Sequence, residues 1–277
     1  MENVVAGVPA QIMPGLVRIT APNPGVMTGP GTNAYLVGEQ ELVLIDPGPD
    51  IGLHVDTLAE AVGDRLKWIL CTHTHRDHSP AARALKKRIG AAAVAGMMAP
   101  SDDRHDQTFR PDRVLQDGDV IECDGLGLRA VHTPGHSSEH LCYFWEKRGL
   151  LFTGDHIMQG STVVITPPDG DMALYLKSLE RLLEMELAQL APGHGRIIDT
   201  PHDEVRRLIA HRLKREAKAL DAVRAAPGSA IEELVTRAYD DTPVRLHTIA
   251  QRSLLAHLIK LSAEHRVMER DGRWHPA

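Results

Sequence analysis

Short apolar runs separated by turn residues dominate the first part of the chain and predict β-strands. These runs lie at residues 15–20, 33–37, 41–45, 66–71 and 91–94. Helical periodicity falls between them, at residues 54–62 and 81–89. For the second of these helices, Ser79 is predicted as the N-cap and Pro80 as the first residue. Strands that alternate with helices in this way predict a mixed α/β domain.

The middle of the chain is predicted to be richer in strands, and helices follow it. Further strands are predicted at residues 120–123, 128–132, 141–145 and 149–152. The segment 97–113 mixes apolar, charged and proline residues and is predicted to be a variable loop. Amphipathic patterns predict helices over 172–185 and 201–224. This order favours helices packed outside two stacked sheets, an αββα sandwich.

The last part of the chain has a pattern of its own. The turn-rich segment 225–229 predicts a hinge. Helices predicted over 231–239 and 247–265 precede a hairpin over 267–274. Helices followed by a hairpin are typical of a winged-helix-like unit. The predicted domains are therefore residues 1–226 and 227–277.

The strongest chemical signal is the segment 72–78, Thr-His-Thr-His-Arg-Asp-His, between a predicted strand and a predicted helix. Loops held by rigid elements commonly carry chemistry. His73 and His75 are two residues apart, so their side chains point the same way in extended backbone. Asp77 and His78 lie beyond the bend and can face a second point nearby. This arrangement suits two metal ions side by side, which activate water for hydrolysis.

Three later loops share one form, in which an apolar run and a small or turn residue precede a histidine or an aspartate. They are the loops at residues 133–137, 153–156 and 191–195. Strands that end on one rim of a sandwich would bring these loops to the first cluster. His136, Asp155 and His194 are therefore candidate ligands. His156 would point away from Asp155 in extended backbone, which favours a role other than ligand.

These motifs, in this order, resemble those of the metallo-β-lactamase-fold hydrolases. Asp46, at the end of the predicted strand 41–45, matches the early aspartate of that superfamily. The segments 23–25 and 31–37, with the C-terminal part of the chain, further resemble the β-lactamase-like protein 2 group. Proteins of that group join the hydrolase domain to a small winged-helix-like domain, and they include an endoribonuclease. The resemblance covers nearly the whole chain.

The resemblance implies a dinuclear metal site. The first metal would be held by His73, His75 and His136, and the second by Asp77, His78 and His194. Asp155 would bridge the two metals, and Asp77 and Asp155 are the candidate catalytic carboxylates. Asp46 would accept a histidine N–H and orient that ring. Nitrogen and oxygen ligands without thiolate favour two zinc ions, with manganese or iron as alternatives.

Three functions are compatible with these residues. The first is a hydrolase that cleaves phosphodiesters, in the manner of a single-stranded RNA endoribonuclease, through a metal-bridging hydroxide. The alternative is a thioester or ester hydrolase of the hydroxyacylglutathione hydrolase type. The third is a nucleic-acid-binding regulator with a vestigial metal site, which the complete set of ligands disfavours. Basic side chains around an open groove would favour the nuclease.

Charge and cysteine usage narrow the class of protein further. The net charge of −6 argues against non-specific coating of nucleic acid, although it is compatible with a local basic patch. Cys71, Cys123 and Cys142 are odd in number and widely spaced, which favours a reducing compartment. The opening Met1-Glu2-Asn3 has no basic n-region, and no apolar stretch approaches a membrane span. We therefore expect a cytoplasmic protein without a membrane partner.

Overall fold

The computed structural model describes residues 4–90 and 92–277, so Met1-Glu2-Asn3 and Ala91 from the predictions above lie outside the described residues. Contacts along the chain define two compact units. The first unit comprises Met1–Thr133, Glu139–Thr162 and Glu186–Pro201. The second unit comprises Pro134–Ser138, Val163–Met185 and His202–Ala277.

The first sheet of the first unit has its strands in chain order. They are β1 (Ala10–Met13), β2 (Leu16–Thr20), β3 (Asn33–Gly38), β4 (Leu42–Ile45), β5 (Leu66–Leu70), β6 (Ala93–Gly96) and β7 (Arg113–Val114). Strands β1 to β4 pair antiparallel, whereas β4 to β7 pair parallel. Parallel neighbours need crossover connections, and α1 (Gly52–Val62) and α2 (Ala81–Ile89) provide two of them.

The second sheet of the first unit has the strand order β12-β11-β10-β9-β8. Its strands are β8 (Val120–Cys123), β9 (Leu126–His132), β10 (Leu141–Trp145), β11 (Leu150–Gly154) and β12 (Gln189–Pro192). All neighbours are antiparallel except β11 and β12, which run parallel. The carboxyl ends of β11 and β12 therefore lie side by side, and each leads into a loop with a predicted ligand.

The two faces of β3 show how the sheets and helices stack. Tyr35 and Val37 belong to a buried cluster that also contains Phe152 of the second sheet. Leu36 belongs to a different cluster, which also contains Leu58 of α1. Because both faces of the strand are covered, the sequence shows a continuous apolar run instead of alternation. The predicted mixed α/β class is confirmed by these layers.

The second unit is helical. It contains α3 (Met172–Leu182), most of α4 (Pro201–Ala225), α5 (Ile231–Ala238), α6 (His247–Ala263) and the hairpin of β13 (Val267–Arg270) and β14 (Arg273–Pro276). Val223 of α4 shares one core with Leu234 of α5, Leu258 of α6 and Trp274 of the hairpin. The predicted order of helices and hairpin is therefore present. The predicted boundary at residue 226 stays a prediction.

Several element boundaries differ from those predicted. Strand β9 begins at Leu126 because Asp124 and Gly125, with φ of 48° and 72°, close a tighter turn than expected. Ser79 is not the N-cap of α2; Pro80 occupies that position, and the Ser79 hydroxyl donates to Asp106 Oδ2 at 3.2 Å. Helix α3 ends before its predicted limit, and β1 and the short β7 had no predicting pattern. None of the helices described is long and apolar enough to span a membrane.

Candidate metal centre

Three of the four ligand loops belong to the first unit and follow strands of its two sheets. The loop at residues 72–79 follows β5 in the first sheet, and those at residues 155–156 and 193–195 follow β11 and β12 in the second. The loop at residues 134–138, which carries His136, belongs to the second unit.

Two histidines and two aspartates of the first unit converge on one point. His194 Nε2 lies 3.2 Å from Asp155 Oδ1 and 3.4 Å from Asp77 Oδ2. His78 Nε2 lies 3.4 Å from Asp155 Oδ1 and 3.6 Å from Asp77 Oδ2. Ligand atoms of Asp77, His78 and His194 all lie within 4.8 Å of one another. Such spacing fits the donors around one cation.

Asp155 also takes part in a second group, with His73 and His78, whose ligand atoms lie within the same distance of one another. The His73 ring stands 4.6 Å from the ring of His75 and 4.2 Å from that of His78, between centroids. Asp155 is thus within reach of histidines on both sides of the cluster. Asp155 is therefore the candidate for a carboxylate that two cations would share.

One carboxylate sets the orientation of two of these rings. The His78 Nδ1–H donates to Asp46 Oδ2 at 3.0 Å, which leaves Nε2 facing the cluster. Thr72 Oγ1 donates to Asp46 Oδ2 at 2.8 Å and therefore accepts from His73 Nδ1–H at 3.0 Å. The backbone N–H of Thr72 donates to Asp46 Oδ1 at 2.7 Å. Both rings consequently turn Nε2 toward the cluster, which is the orientation that a metal ion needs.

Backbone carbonyls set the other two Nε2-presenting rings. His194 Nδ1 donates to the carbonyl of Gly31 at 3.1 Å. Within the second unit, His136 Nδ1 donates to the carbonyl of Val164 at 2.8 Å. Because a carbonyl only accepts, each Nδ1 carries a proton, so Nε2 is the nitrogen of each ring that can bind a metal ion. The donor set is therefore imidazole nitrogens and carboxylate oxygens, which fits a divalent transition metal that displaces the Nε2 protons.

Two polar side chains of β3 support a candidate ligand loop from behind. Asn33 Nδ2 donates to the carbonyls of Pro192 at 3.0 Å and of Gly195 at 2.9 Å. The Tyr35 hydroxyl also donates to Pro192, at 2.8 Å. These side chains position the backbone on both sides of His194.

Glycines are required where the ligand loops touch. A Cβ atom on Gly193 would lie 2.7 Å from His78 Cε1, 3.0 Å from Asp155 Oδ1 and 3.0 Å from the carbonyl of Gly154. Gly154 has a φ of 45°, and its Cβ would lie 2.4 Å from Thr72 Oγ1. The glycines of these two motifs thus allow the loops to approach closely.

The electrostatics of the cluster attract cations. Burial alone would lower the pKa of His194, but Asp155 and Asp77 raise it to about 10. Burial likewise opposes the charge on His78, but Asp77, Asp155 and Asp46 raise its pKa well above the ordinary value. The pKa of Asp77, which burial would raise, falls to about 2 beside His78 and His194. The carboxylates therefore draw positive charge, as protons or as a metal ion, to this point.

A further group behind the ligand loop was not predicted. Glu139 Oε1 accepts from the backbone N–H of Thr74 at 2.9 Å and from the Thr74 hydroxyl at 2.7 Å. The same oxygen lies 3.1 Å from His105 Nδ1, and the His105 ring stands 4.7 Å from that of His75. Thr74 lies between two ligand histidines, so this network holds the backbone that bears them. The position of Thr74 inside the histidine motif was the one feature of the sequence that could have indicated this network.

His140 and His156 also differ in role from the predicted ligands. His140 is buried, and its Nε2 accepts from the backbone N–H of Asp155 at 3.2 Å. Its Nδ1 donates to Thr133 Oγ1, at 2.9 Å. His140 therefore supports the Asp155 loop. His156 is also buried and lies outside the metal-ligand groups of the described residues.

Family comparison places this site in a known context. Residues 27–194 match the model of the metallo-beta-lactamase superfamily, and residues 230–274 match that of the beta-lactamase associated winged helix domain. The chain therefore belongs to the metallo-beta-lactamase superfamily. The resemblance inferred from the sequence and the predicted fold class, with its winged-helix domain, are confirmed.

Individual relatives extend the likeness over most of the chain. A beta-lactamase-like protein 2 homolog of Drosophila melanogaster is 30% identical, with 90% of this chain and 88% of the relative covered. An atrochrysone carboxyl ACP thioesterase of Paecilomyces divaricatus is 32% identical, with 79% of this chain and 68% of the relative covered. With the His/Asp cluster, this membership makes the protein a metal-dependent hydrolase.

Solved structures show the same fold. A metallo-beta-lactamase family protein from Thermus thermophilus has a TM-score of 0.80 at 22% identity, covering 96% of this chain and 100% of that one. A beta-lactamase domain protein from Burkholderia ambifaria also has a TM-score of 0.80, at 21% identity, covering 100% and 96%. Another similar protein was solved in a di-iron-bound form, with a TM-score of 0.53 at 27% identity, covering 67% and 96%.

Proposed function

We propose that this protein hydrolyses thioesters at a centre of two divalent metal ions. The first ion would be held by His73, His75 and His136, the second by Asp77, His78 and His194, with Asp155 between them. When bound, the ions supply a nucleophilic water and a Lewis acid for the scissile carbonyl. The observation that carries the proposal is the 32% identity to an ACP thioesterase, joined to a ligand set without thiolate.

The protein's own residues prepare this chemistry. Asp46 and Thr72 bind the Nδ1 atoms of two candidate ligand histidines and so turn their Nε2 atoms toward the metal positions. Asp77 is the more accessible of the two carboxylates, with its side chain 30% exposed against 12% for Asp155. Asp77 is therefore the better placed of the two carboxylates to receive a proton from the attacking water, whereas Asp155 would serve as a metal ligand.

The donor atoms indicate which metal is bound, and the cysteines indicate the cellular compartment of the protein. Zinc suits nitrogen and oxygen ligands without thiolate, and the similar protein in a di-iron-bound form keeps iron as the alternative, with manganese next. The three cysteines are buried free thiols, which supports a reducing compartment such as the cytoplasm.

A single-stranded RNA nuclease is the second candidate. The winged-helix domain and the similarity to a beta-lactamase-like protein 2 homolog favour it, because the resembled group includes an endoribonuclease. Charge favours the thioester: the ligand loops of the first unit, residues 72–79, 154–156 and 193–196, contain Arg76 and Arg196 as cations, in a chain of net charge −6. An extended polyanion needs more phosphate-binding side chains than these.

A substrate panel separates the two candidates. Zinc-loaded protein should hydrolyse acetyl-coenzyme A and S-acetyl-N-acetylcysteamine, with weaker turnover of bis-p-nitrophenyl phosphate and of single-stranded RNA. The variant Asp155→Asn, prepared in parallel, should be inactive on all four and thereby exclude a contaminating hydrolase. Cleavage of RNA without thioester turnover would overturn the proposal in favour of the nuclease.

A further inference from the structure

A cavity of about 400 Å³ lies in the first unit, along α2 and beside the segment 106–110. Its apolar lining comes from buried Ala82, Val94 and Phe109. Its basic lining comes from four side chains, namely Arg83, Lys86, Lys87 and Arg110. None of these residues is a predicted metal ligand. The cavity therefore combines an apolar floor with a positive rim, in a chain that is acidic overall.

The cations of α2 are unevenly neutralised. Lys86 pairs with Asp112, and Arg88, which lies outside the cavity, pairs with Asp56. No carboxylate of the described residues lies within ion-pair distance of Arg83 or of Lys87. The neutralised and the unneutralised positions alternate along one short helix.

The two unneutralised cations repel each other, and Arg83 in addition opposes the helix dipole, whereas Lys87 lies in the last turn, where the dipole favours it. Arg83 and Lys87 are four residues apart, so their like charges face each other on one side of α2 and repel. Arg83 also lies in the first turn, where the helix dipole disfavours positive charge, and that turn has no acidic residue. A helix surface that is merely solvated does not need two cations placed side by side, with one of them in the first turn. An anion that binds both side chains would relieve both costs.

The remaining rim residue is fixed in place. Arg110 Nη1 donates to the carbonyls of Gln107 at 2.9 Å and of Phe109 at 2.7 Å, and no described carboxylate pairs with it. Its charge is therefore held in position without being neutralised. A guanidinium preorganised in this way binds phosphate oxygens with little loss of side-chain entropy.

The single carboxylate in the lining is already satisfied. Asp106 Oδ1 accepts from the backbone N–H of Thr108 at 2.9 Å and from its hydroxyl at 2.6 Å. Asp106 Oδ2 accepts from the Ser79 hydroxyl at 3.2 Å. Asp106 thus shapes the Ser79 end of the cavity instead of pairing with the basic rim.

We propose that this cavity binds a phosphate-bearing organic anion, with its phosphates on Arg83, Lys87 and Arg110. The volume lies within the range of small-molecule sites, roughly 300–1,000 Å³, and exceeds what an inorganic ion needs. The floor of Ala82, Val94 and Phe109 selects for an apolar or planar group attached to the phosphates. Nucleotide-sized anions combine these two features.

Two sources of this chemistry are distinguishable. The anion can be the phosphorylated tail of a thioester substrate, because Ser79, which lines the cavity, directly follows the candidate ligand His78. It can instead be a separate nucleotide. The first assignment rests on the proposed thioester hydrolysis, whereas binding itself does not.

Calorimetric titration with adenosine diphosphate tests the binding. Wild-type protein should bind it, and added salt should weaken the binding. The double variant Arg83→Gln/Lys87→Gln should bind at least about tenfold more weakly, because it loses charge-assisted hydrogen bonds. The matched control Arg88→Gln/Arg206→Gln removes equal charge from positions outside the cavity and should bind like wild type. Absence of binding to wild type, or equal binding to the double variant, would overturn the proposal.

Thioester kinetics then identify the source. If the anion is the substrate's tail, the ratio of kcat/KM for acetyl-coenzyme A to that for S-acetyl-N-acetylcysteamine should fall at least about tenfold in the double variant. An unchanged ratio with impaired nucleotide binding would assign the cavity to a separate nucleotide. Absence of all thioester turnover with intact nucleotide binding would refute the proposed function and leave the cavity's role standing.

Discussion

Buried ionisable side chains occur in both units of the molecule. In the first unit, His78 and His194 turn their Nε2 atoms toward the carboxylates of Asp77 and Asp155. In the second unit, the buried Glu216 lies 2.9 Å from Lys260 Nζ and 3.6 Å from Arg266 Nη1.

The difference lies in which kind of group faces which. In the first unit, imidazole nitrogens and carboxylate oxygens converge on one point, so the arrangement is complete when protons or a metal ion supply positive charge. In the second unit, cationic side chains already face the carboxylate, so the arrangement is complete by itself. Burial of charge does not distinguish a functional site from a structural one, whereas the balance of donors and acceptors does.

The largest effect is expected from Asp155→Asn. Loss of the shared negative charge leaves the repulsion between two dications unbalanced. We therefore expect kcat to fall by more than roughly 100-fold, which is the upper limit for mutating a residue that only hydrogen-bonds to a metal ligand. Hydrolysis rates and metal content, measured together, check this. The isosteric amide should leave the circular dichroism spectrum unchanged. Near-normal turnover would mean that Asp155 is not shared between two metal ions.

A smaller effect is expected from Asp46→Ala, which leaves every metal ligand in place. Because Asp46 fixes the His78 ring directly and the His73 ring through Thr72, metal affinity or activity should fall roughly 10–100-fold. Metal titration with a competing chelator measures this. Asp46→Asn keeps the shape and can still accept a hydrogen bond, so it should fall between wild type and alanine. An alanine variant with unchanged metal affinity would show that Asp46 is only a turn residue.

The cluster of Glu216, Lys260 and Arg266 in the second unit should affect stability and not metal binding. Glu216→Ala removes the buried one of the two carboxylates that Lys260 and Arg266 share and leaves them the exposed Glu264, so the free energy of unfolding should fall by about 2 kcal/mol. Metal content of the folded protein should not change. Urea unfolding followed by circular dichroism measures the stability. Loss of metal from the folded variant would contradict the distinction between the two kinds of cluster.

The smallest effect is expected at an exposed ion pair. Arg206 and Asp203 of α4 lie 3.1 Å apart with their side chains 64% and 77% exposed. Arg206→Ala should change the unfolding free energy by less than about 0.5 kcal/mol, because water and salt screen the pair. The same urea experiment provides the measurement. A cost as large as that of Glu216→Ala would show that burial does not set the strength of these pairs.

The ligand motifs were predictable because each is contiguous and each follows a strand. Asp46 was predictable for the same reason, since it ends β4. The Glu139 network was not predictable, because Glu139 and Thr74 are separated by 65 positions and meet only through the fold. Ser79 was misjudged for a related reason: a tertiary partner, Asp106, competes with the local helix for its hydroxyl.

The fold was predictable where the apolar pattern is long. Strand β3 follows from its continuous apolar run and helix α2 from its helical periodicity. By contrast, β7 has two residues, both exposed, and no pattern can indicate a strand of that length. The turn at Asp124 was misplaced because both Gly125 and Gly127 suggest a turn, and only the backbone twist decides between them.

Gly193 has a consequence for how this enzyme can be redesigned. Because its backbone sits against His78 and Gly154, the three ligand loops of the first unit occupy one shared volume. A loop grafted from another hydrolase would displace the neighbouring loops unless it also had a glycine at this position. Substrate scope is therefore better altered in segments such as residues 97–104, where side chains can be exchanged while the loops of the metal centre keep their mutual fit.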